Sequence, residues 1–206
     1  MEKPAQTQYP IHELLRRRWS PRAFSPRRVE PEILRSLFEA ARWAPSSGNQ
    51  QPWRFLIARK DEPAEFERML HCLTDGNIAW CKDVPVLMFS LANLRWDNGE
   101  PNRHAFHDVG QAVAQLTVEA VARGLFVHQM GGILADKIRE TYALPEGFEA
   151  VAGFALGYPG EPDQLSGKLH DRELGPRKRN PIDSFVFSGR FGETSPTVRT
   201  LDDGKS

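Results

Sequence analysis

Arg18, Ser20 and Arg22 alternate in the stretch Arg18-Trp19-Ser20-Pro21-Arg22-Ala23-Phe24. Alternation aims the three side chains the same way and offers two cations and a hydroxyl. These donors suit a dianionic phosphate, because a guanidinium fork bonds two oxyanion oxygens at once. A second basic cluster, Arg177-Lys178-Arg179, lies near the other end of the chain. Taken singly, either cluster has the composition of a solvated face. The loop Pro45-Ser46-Ser47-Gly48-Asn49-Gln50-Gln51-Pro52-Trp53 gathers hydroxyls and carboxamides. Carboxamides both donate and accept, matching the mixed edge of a pyrimidine-like ring, although the same residues also make ordinary turns. Met130-Gly131-Gly132 is a third such element. Two glycines allow close backbone approach to a flat ligand, and amides ahead of a helix are free to donate.

Elements of regular structure must hold these segments. A short helix is expected over Ile11–Arg18, with Ile11, Leu14 and Leu15 on one face, ended by Ser20-Pro21. A second opens at Pro31, repeats Ile33, Leu34, Leu37, Phe38 and Ala41 at helical spacing, and stops ahead of Pro45. Trp53–Ala58 reads as a strand and Glu65–Leu73 as a helix. Val84–Leu91 is a short, nearly continuous apolar run, the mark of a strand buried on both faces. Ala105–Arg123 is the strongest helix, apolar nearly all round and so expected to be covered by more than one neighbour, with Gly124 as its stop. A helix after Gly131-Gly132 reaching Tyr142 and a strand over Ala150–Leu156 follow. From Pro159 onward the chain is rich in Pro, Gly and charge, with Phe185-Val186-Phe187 as its one apolar cluster. Such a segment cannot bury enough surface alone: either it is disordered, or it wraps a partner surface and adds an edge strand there. The order predicts an α+β fold, helices around a small mixed sheet.

At 206 residues with 40% hydrophobic content, the chain has ample length for one domain with a buried core. Lys+Arg and Asp+Glu both number 27, so no global field draws nucleic acid or an anionic membrane. The aromatic-basic interleaving of nucleic-acid modules is also missing. Cys72 and Cys81 are too few for a disulfide scaffold and lack zinc spacing. His104 and His107 stand three apart beside Asp108 and would share a helix face, but without further ligands they read as helix-start histidines and no metal is expected. No stretch approaches the roughly 18 to 20 apolar residues of a membrane span, and the N-terminus lacks a signal-peptide core. A cytoplasmic protein is expected.

Arg18-x-Ser20-x-Arg22-x-Phe24, the Pro45–Trp53 loop, and Asn77 ahead of Trp80 and Val84-Pro85-Val86 together resemble the nitroreductase family. So do Asp108-x-Gly110-x-Ala112, Gly124-Leu125, Gly131-Gly132, Leu144-Pro145-Glu146-Gly147 leading to Leu156-Gly157-Tyr158-Pro159, and Arg177-x-Arg179. Each motif alone is weak, but their order and spacing hold from about residue 11 to 187. Gly131 departs from members that carry Glu at that position, and Gly189–Ser206 extends past the usual family end.

The resemblance implies an α+β homodimer binding FMN at two subunit-interface sites, residues 1–206 forming one FMN-binding domain with an extended arm over 160–206 that wraps the partner subunit. Arg18, Trp19, Ser20, Arg177 and Arg179 would grip the phosphate. Arg22 would lie nearer the ring, where a cation stabilises charge on reduced flavin. Asn77 would bond the pyrimidine edge, and the backbone of Gly131 or Gly132 would face the hydride-accepting N5. Pro45, Ser46, Ser47 and Asn49 would come from the partner. The implied activity is ping-pong hydride transfer from NADH or NADPH through FMN to a small acceptor such as a nitroaromatic, quinone or enone. No side chain is needed as general base, because the cofactor carries the chemistry. No Gly-x-Gly-x-x-Gly follows a strand, so a tightly held nicotinamide is not expected. His128 is expected to be structural or near the flavin, and Trp43, Trp53 and Trp80 to pack in the core or an interface. A flavin store or redox regulator without turnover, or a flavin-fragmenting or dehalogenating relative, would share these contacts.

Overall fold

The computed structural model describes residues 1–199, so the last residues of the expected arm, 200–206, lie outside the described residues. Contacts divide the chain into a large unit, Met1–Gly175, and a smaller one beginning at Pro176. The large unit contains, in order, α1 (Glu13–Arg17), α2 (Pro31–Arg42), β1 (Trp53–Arg59), α3 (Pro63–Leu70), α4 (Asp75–Cys81), β2 (Val86–Asn93), α5 (Ala105–Ala122), β3 (Phe126–Met130), α6 (Ala135–Thr141), β4 (Phe148–Gly157) and α7 (Lys168–Leu174). The strands run β1-β2-β4-β3 across the sheet. The α+β class is as expected, but the sheet is not mixed among the described residues: all three pairings are antiparallel.

β2 lies second in the sheet, and its apolar run divides by alternation. Leu87, Phe89 and Leu91 join one cluster with Phe66, Trp80 and Ile138. Val86, Met88 and Ala92 join the other with Leu37, Val109 and Leu116. Thus α3, α4 and α6 cover one face while α2 and α5 cover the other. Each large side chain fully buried there contributes about 2 kcal/mol. Between Ser90 and Leu91 the pairing with β4 steps from Ala152 to Ala150. The extra residue, Val151, is a bulge that reverses the face of what precedes it, so Ala150 and Ala155 both face the first cluster. α2 begins with Pro31 at its first turn and buries Leu34, Leu37 and Ala41, a one-sided stripe.

Three elements were not anticipated: β3, α4 and α7. β3 is an edge strand of five residues, Phe-Val-His-Gln-Met, with Gln129 exposed and little alternation to read. α4 contains Gly76, and α7 is almost wholly polar. β2 begins two residues later than expected because Pro85 has no N–H for the ladder. α5 is not covered all round in the single chain: Phe106, Gly110 and Ala114 are exposed. α1 buries none of its own residues, and Ile11 and Leu15 are 45% and 47% exposed. The smaller unit holds short 3-10 turns at Ile182–Ser184 and Pro196–Val198 and an isolated antiparallel bridge between Phe187 and Thr194. The trailing strand expected at Phe185-Val186-Phe187 is therefore a single bridge in its described residues. Phe185 is exposed, and Phe191, in edge contact with Phe187, is more so.

Candidate functional site

The arginine-serine segment leaves α1 and runs in extended form to Phe24, which bridges to Pro159 beyond β4. Within it Arg18 Nη1 donates to Ser20 Oγ at 3.3 Å. Trp19 turns the other way: its indole is buried in edge contact with Phe126, and Nε1 has no partner among the described residues. Of Trp19, then, only the backbone is available to an external ligand. His128 on β3 reaches the segment, its Nδ1 lying 2.8 Å from the Pro21 carbonyl. A carbonyl can only accept, so Nδ1 carries the proton. Burial lowers the His128 pKa to about 4, against the hydrogen bond to Pro21 and with Arg22 nearby, so the ring is neutral at pH 7. Its centroid lies 4.6 Å from that of Trp80 on α4.

α4 also carries Asn77. Asn77 Nδ2 donates to the Gly132 carbonyl at 3.0 Å, as does Thr74 Oγ1 at 3.3 Å. This contact explains one glycine but not the other. A Cβ on Gly132 would lie 2.5 Å from Asn77 Nδ2 and 2.7 Å from Thr74 Oγ1, whereas one on Gly131 would meet nothing within 4 Å. The N–H groups of Gly131 and Gly132 donate to no backbone acceptor among the described residues. Arg18, Ser20, Arg22, Asn77 and the Gly131-Gly132 backbone are thus joined through Pro21, His128, Trp80 and the α4–Gly132 contacts.

The loop at 45–51 is held by a different set. Asp108, buried on α5, accepts the Ser47 N–H at 3.0 Å, and Ser46 Oγ accepts that of Gln51 at 3.0 Å. Gly48, Asn49 and Gln51 all have positive φ, 56°, 55° and 48°, a conformation costly for the two residues that carry a Cβ. Trp96 lies against Gly48, 3.3 Å from where its Cβ would be. These hydrogen bonds do not run to Asn77 or Gly132. Asp108 was noticed in the sequence as part of a motif, but its bond to Ser47 has no local signal. In the smaller unit, Arg179 Nη1 donates to the Lys178 carbonyl at 2.7 Å, and burial, then the Arg179 charge, push the Arg177 guanidinium down.

The remaining candidates have ordinary surroundings. His107 Nε2 lies 3.3 Å from Gln111 Nε2, and no metal-binding group of His, Cys, Asp or Glu occurs among the described residues. Cys72 and Cys81 are free and buried; burial pushes the Cys81 thiol up, and its Sγ lies 3.4 Å from Met130 Sδ. Trp53 and Trp80 are core residues, but Trp43 is 70% exposed, its Nε1 bonded to Glu39. No helix among the described residues is long and apolar enough to cross a membrane.

The donors fit the FMN that the resemblance implies. Burial pushes the Arg22 guanidinium below its ordinary value, opposed by Glu173 and aided by Arg172, a strain on the cation that a bound anion would relieve. Amides at Gly131 and Gly132 without backbone acceptors among the described residues, and open space where a Cβ of Gly131 would lie, suit the edge of a flat ring.

The comparisons agree. A solved structure described as an oxidoreductase containing FMN is 37% identical, covers 92% of this chain and 96% of its own, and superposes with a TM-score of 0.86. An uncharacterized 15.4 kDa protein of Mycolicibacterium smegmatis is 36% identical over 99 residues, 47% of this chain and 67% of that protein. An NADH dehydrogenase of Thermus thermophilus is 27% identical over 173 residues, 68% of this chain and 82% of that protein. The nitroreductase family model matches residues 15–158, and this chain belongs to that family.

Proposed function

We propose that this chain is an FMN-dependent oxidoreductase that passes hydride from NADH or NADPH to a small acceptor such as a nitroaromatic, quinone or enone. Donor and acceptor use one ligand face in turn, a ping-pong cycle. The observation that carries the reading is the joining of the Arg18–Arg22 segment to Asn77 and the open Gly131-Gly132 backbone, in a chain similar over nearly its whole length to an FMN-containing oxidoreductase. The flavin, when bound, supplies the hydride chemistry. The residues of this chain bind and orient it. Arg18, Ser20 and the Trp19 backbone hold the phosphate, with Arg177 and Arg179 assigned to it by resemblance and charge. Arg22 and Asn77 address the pyrimidine end, and Gly131 and Gly132 offer N–H groups to the ring edge.

The site is completed in a homodimer, where Pro45, Ser46, Ser47 and Asn49 serve the partner's flavin and the arm beyond residue 160 wraps the partner. The separate bonding of that loop to Asp108 and the exposed apolar faces of α1 and α5 support this. In this reading residues 1–206 act as one FMN-binding domain, placed in the cytoplasm on composition alone.

Absorption spectra before and after anaerobic NADH or NADPH test the reading. Flavin bands that bleach support it. Flavin that stays oxidised with both donors points to storage or regulation instead, and a protein that cannot be loaded with FMN removes the reading altogether. Arg18→Ala combined with Arg179→Ala is expected to purify without flavin; a double variant that purifies fully yellow contradicts the phosphate assignment.

A further inference from the structure

A helix ordinarily docks through an apolar stripe. α7 has Leu169 half-buried against the first apolar cluster, but its one fully buried residue is Glu173, 2% exposed. A buried carboxylate is costly unless its oxygens are satisfied, and these are. The Arg22 N–H donates to Glu173 Oε2 at 2.9 Å and Oε1 at 3.1 Å, and the Ala23 N–H donates to Oε1 at 3.1 Å. The same carboxylate opposes the effect of burial on the Arg22 guanidinium. At the far end of the clasp, Lys3 Nζ donates to the carbonyls of Glu173 and Gly175, where a helix C-terminus presents unsatisfied oxygens and favours a cation. The next residues stitch the segment to the sheet: Gly160 N–H donates to the Ala23 carbonyl and Ser25 N–H to the Tyr158 carbonyl, both at 2.9 Å. Among the described residues, Glu173 is what meets the Arg22 N–H itself.

We infer that Glu173 is a positioning residue for flavin binding: by accepting the Arg22 and Ala23 N–H groups it sets the backbone that presents the Arg22 guanidinium to FMN. The inference rests on the FMN reading above. It assigns α7 a task beyond packing, and through the main chain at its C-terminal end it links the N-terminal Lys3 to the ligand segment.

The test is the dissociation constant of apoprotein for FMN, read by quenching of flavin fluorescence, for the wild type, Glu173→Ala and Glu173→Gln. Glu173→Ala is expected to bind at least tenfold more weakly. Added acetate, which replaces the missing carboxylate between the two N–H groups, is expected to restore most of the affinity, while the same concentration of chloride does not. Glu173→Gln keeps the volume but turns an NH2 group toward backbone donors, and is expected to bind at least threefold more weakly; it decides the matter should the alanine variant fail to fold. Either folded variant binding FMN within twofold of the wild type overturns the inference, as does a loss in Glu173→Ala that acetate leaves untouched. A wild type that takes up no FMN removes the flavin reading and this inference with it, an outcome distinct from unaffected variants of a wild type that binds.

Discussion

His128 ties the stability of the arginine segment to pH. Its pKa is lowered from 6.5 to about 4 by burial, so the folded state prefers the neutral ring. Between those two values the unfolded chain binds more protons than the folded one, and stability therefore rises with pH across that window. Stability is fully present above pH 6.5 and is lost as pH falls toward 4, by about 3 kcal/mol at 1.36 kcal/mol per unit. Denaturation midpoints measured from pH 7 to 4 are expected to show this decline, and His128→Gln is expected to flatten it. An unchanged slope in that variant assigns the acid sensitivity to other groups. His107 is exposed at the start of α5, and His107→Ala is expected to leave the rate of flavin reduction within a few-fold. A 100-fold loss, about 2.7 kcal/mol of barrier, would reveal a catalytic function for it.

At the scale of elements, the loop between α2 and β1 is a strained connection held by one buried carboxylate. Three of its residues have positive φ, and only one of them is glycine. Such strain persists where surrounding bonds over-determine it, and Asp108 supplies the bond from outside the loop that fixes Ser47. Asp108→Ala removes the acceptor and leaves that N–H without its partner, a cost of about 2 kcal/mol. The expected result is a lower urea midpoint together with weaker FMN binding, because Ser46, Ser47 and Asn49 lose their set conformation. A variant with wild-type affinity would show that the loop holds itself.

The whole molecule exposes apolar surface where a second copy is proposed to lie. Ile11 just ahead of α1, Leu15 on α1 and Phe106 on α5 are each 45% to 47% exposed, and Phe106 lies beside the open Gly110 and Ala114 positions of α5. Ala114→Glu places a charge on that α5 face without touching the core. It is expected to shift light scattering from dimer to monomer and to lose FMN at the same time. A monomeric variant that keeps its flavin would show that one chain completes the site by itself.

The sequence by itself determined the α+β class, the long helix and three of the four strands, and it singled out the candidate ligand segments, because these signals are local. Alternation in Arg18-x-Ser20-x-Arg22, a proline opening α2, and an apolar run for β2 each act over a few residues. The sequence also carried the family, through several weak motifs in register. What it did not carry were the polar bonds that shape the site. His128 meets Pro21 across 107 residues, Glu173 meets Arg22 across 151, and Asp108 meets Ser47 across 61. Each depends on chain segments brought together by burial of the two apolar clusters, and a single carboxylate or imidazole has no periodicity to announce it. The same holds for β3, whose five residues become a strand through pairing with β4, and for α7, which buries a carboxylate beside a single half-buried leucine. Local pattern chose the elements; tertiary packing decided which polar group each would satisfy, since a buried donor or acceptor must be paired with whatever the fold places beside it.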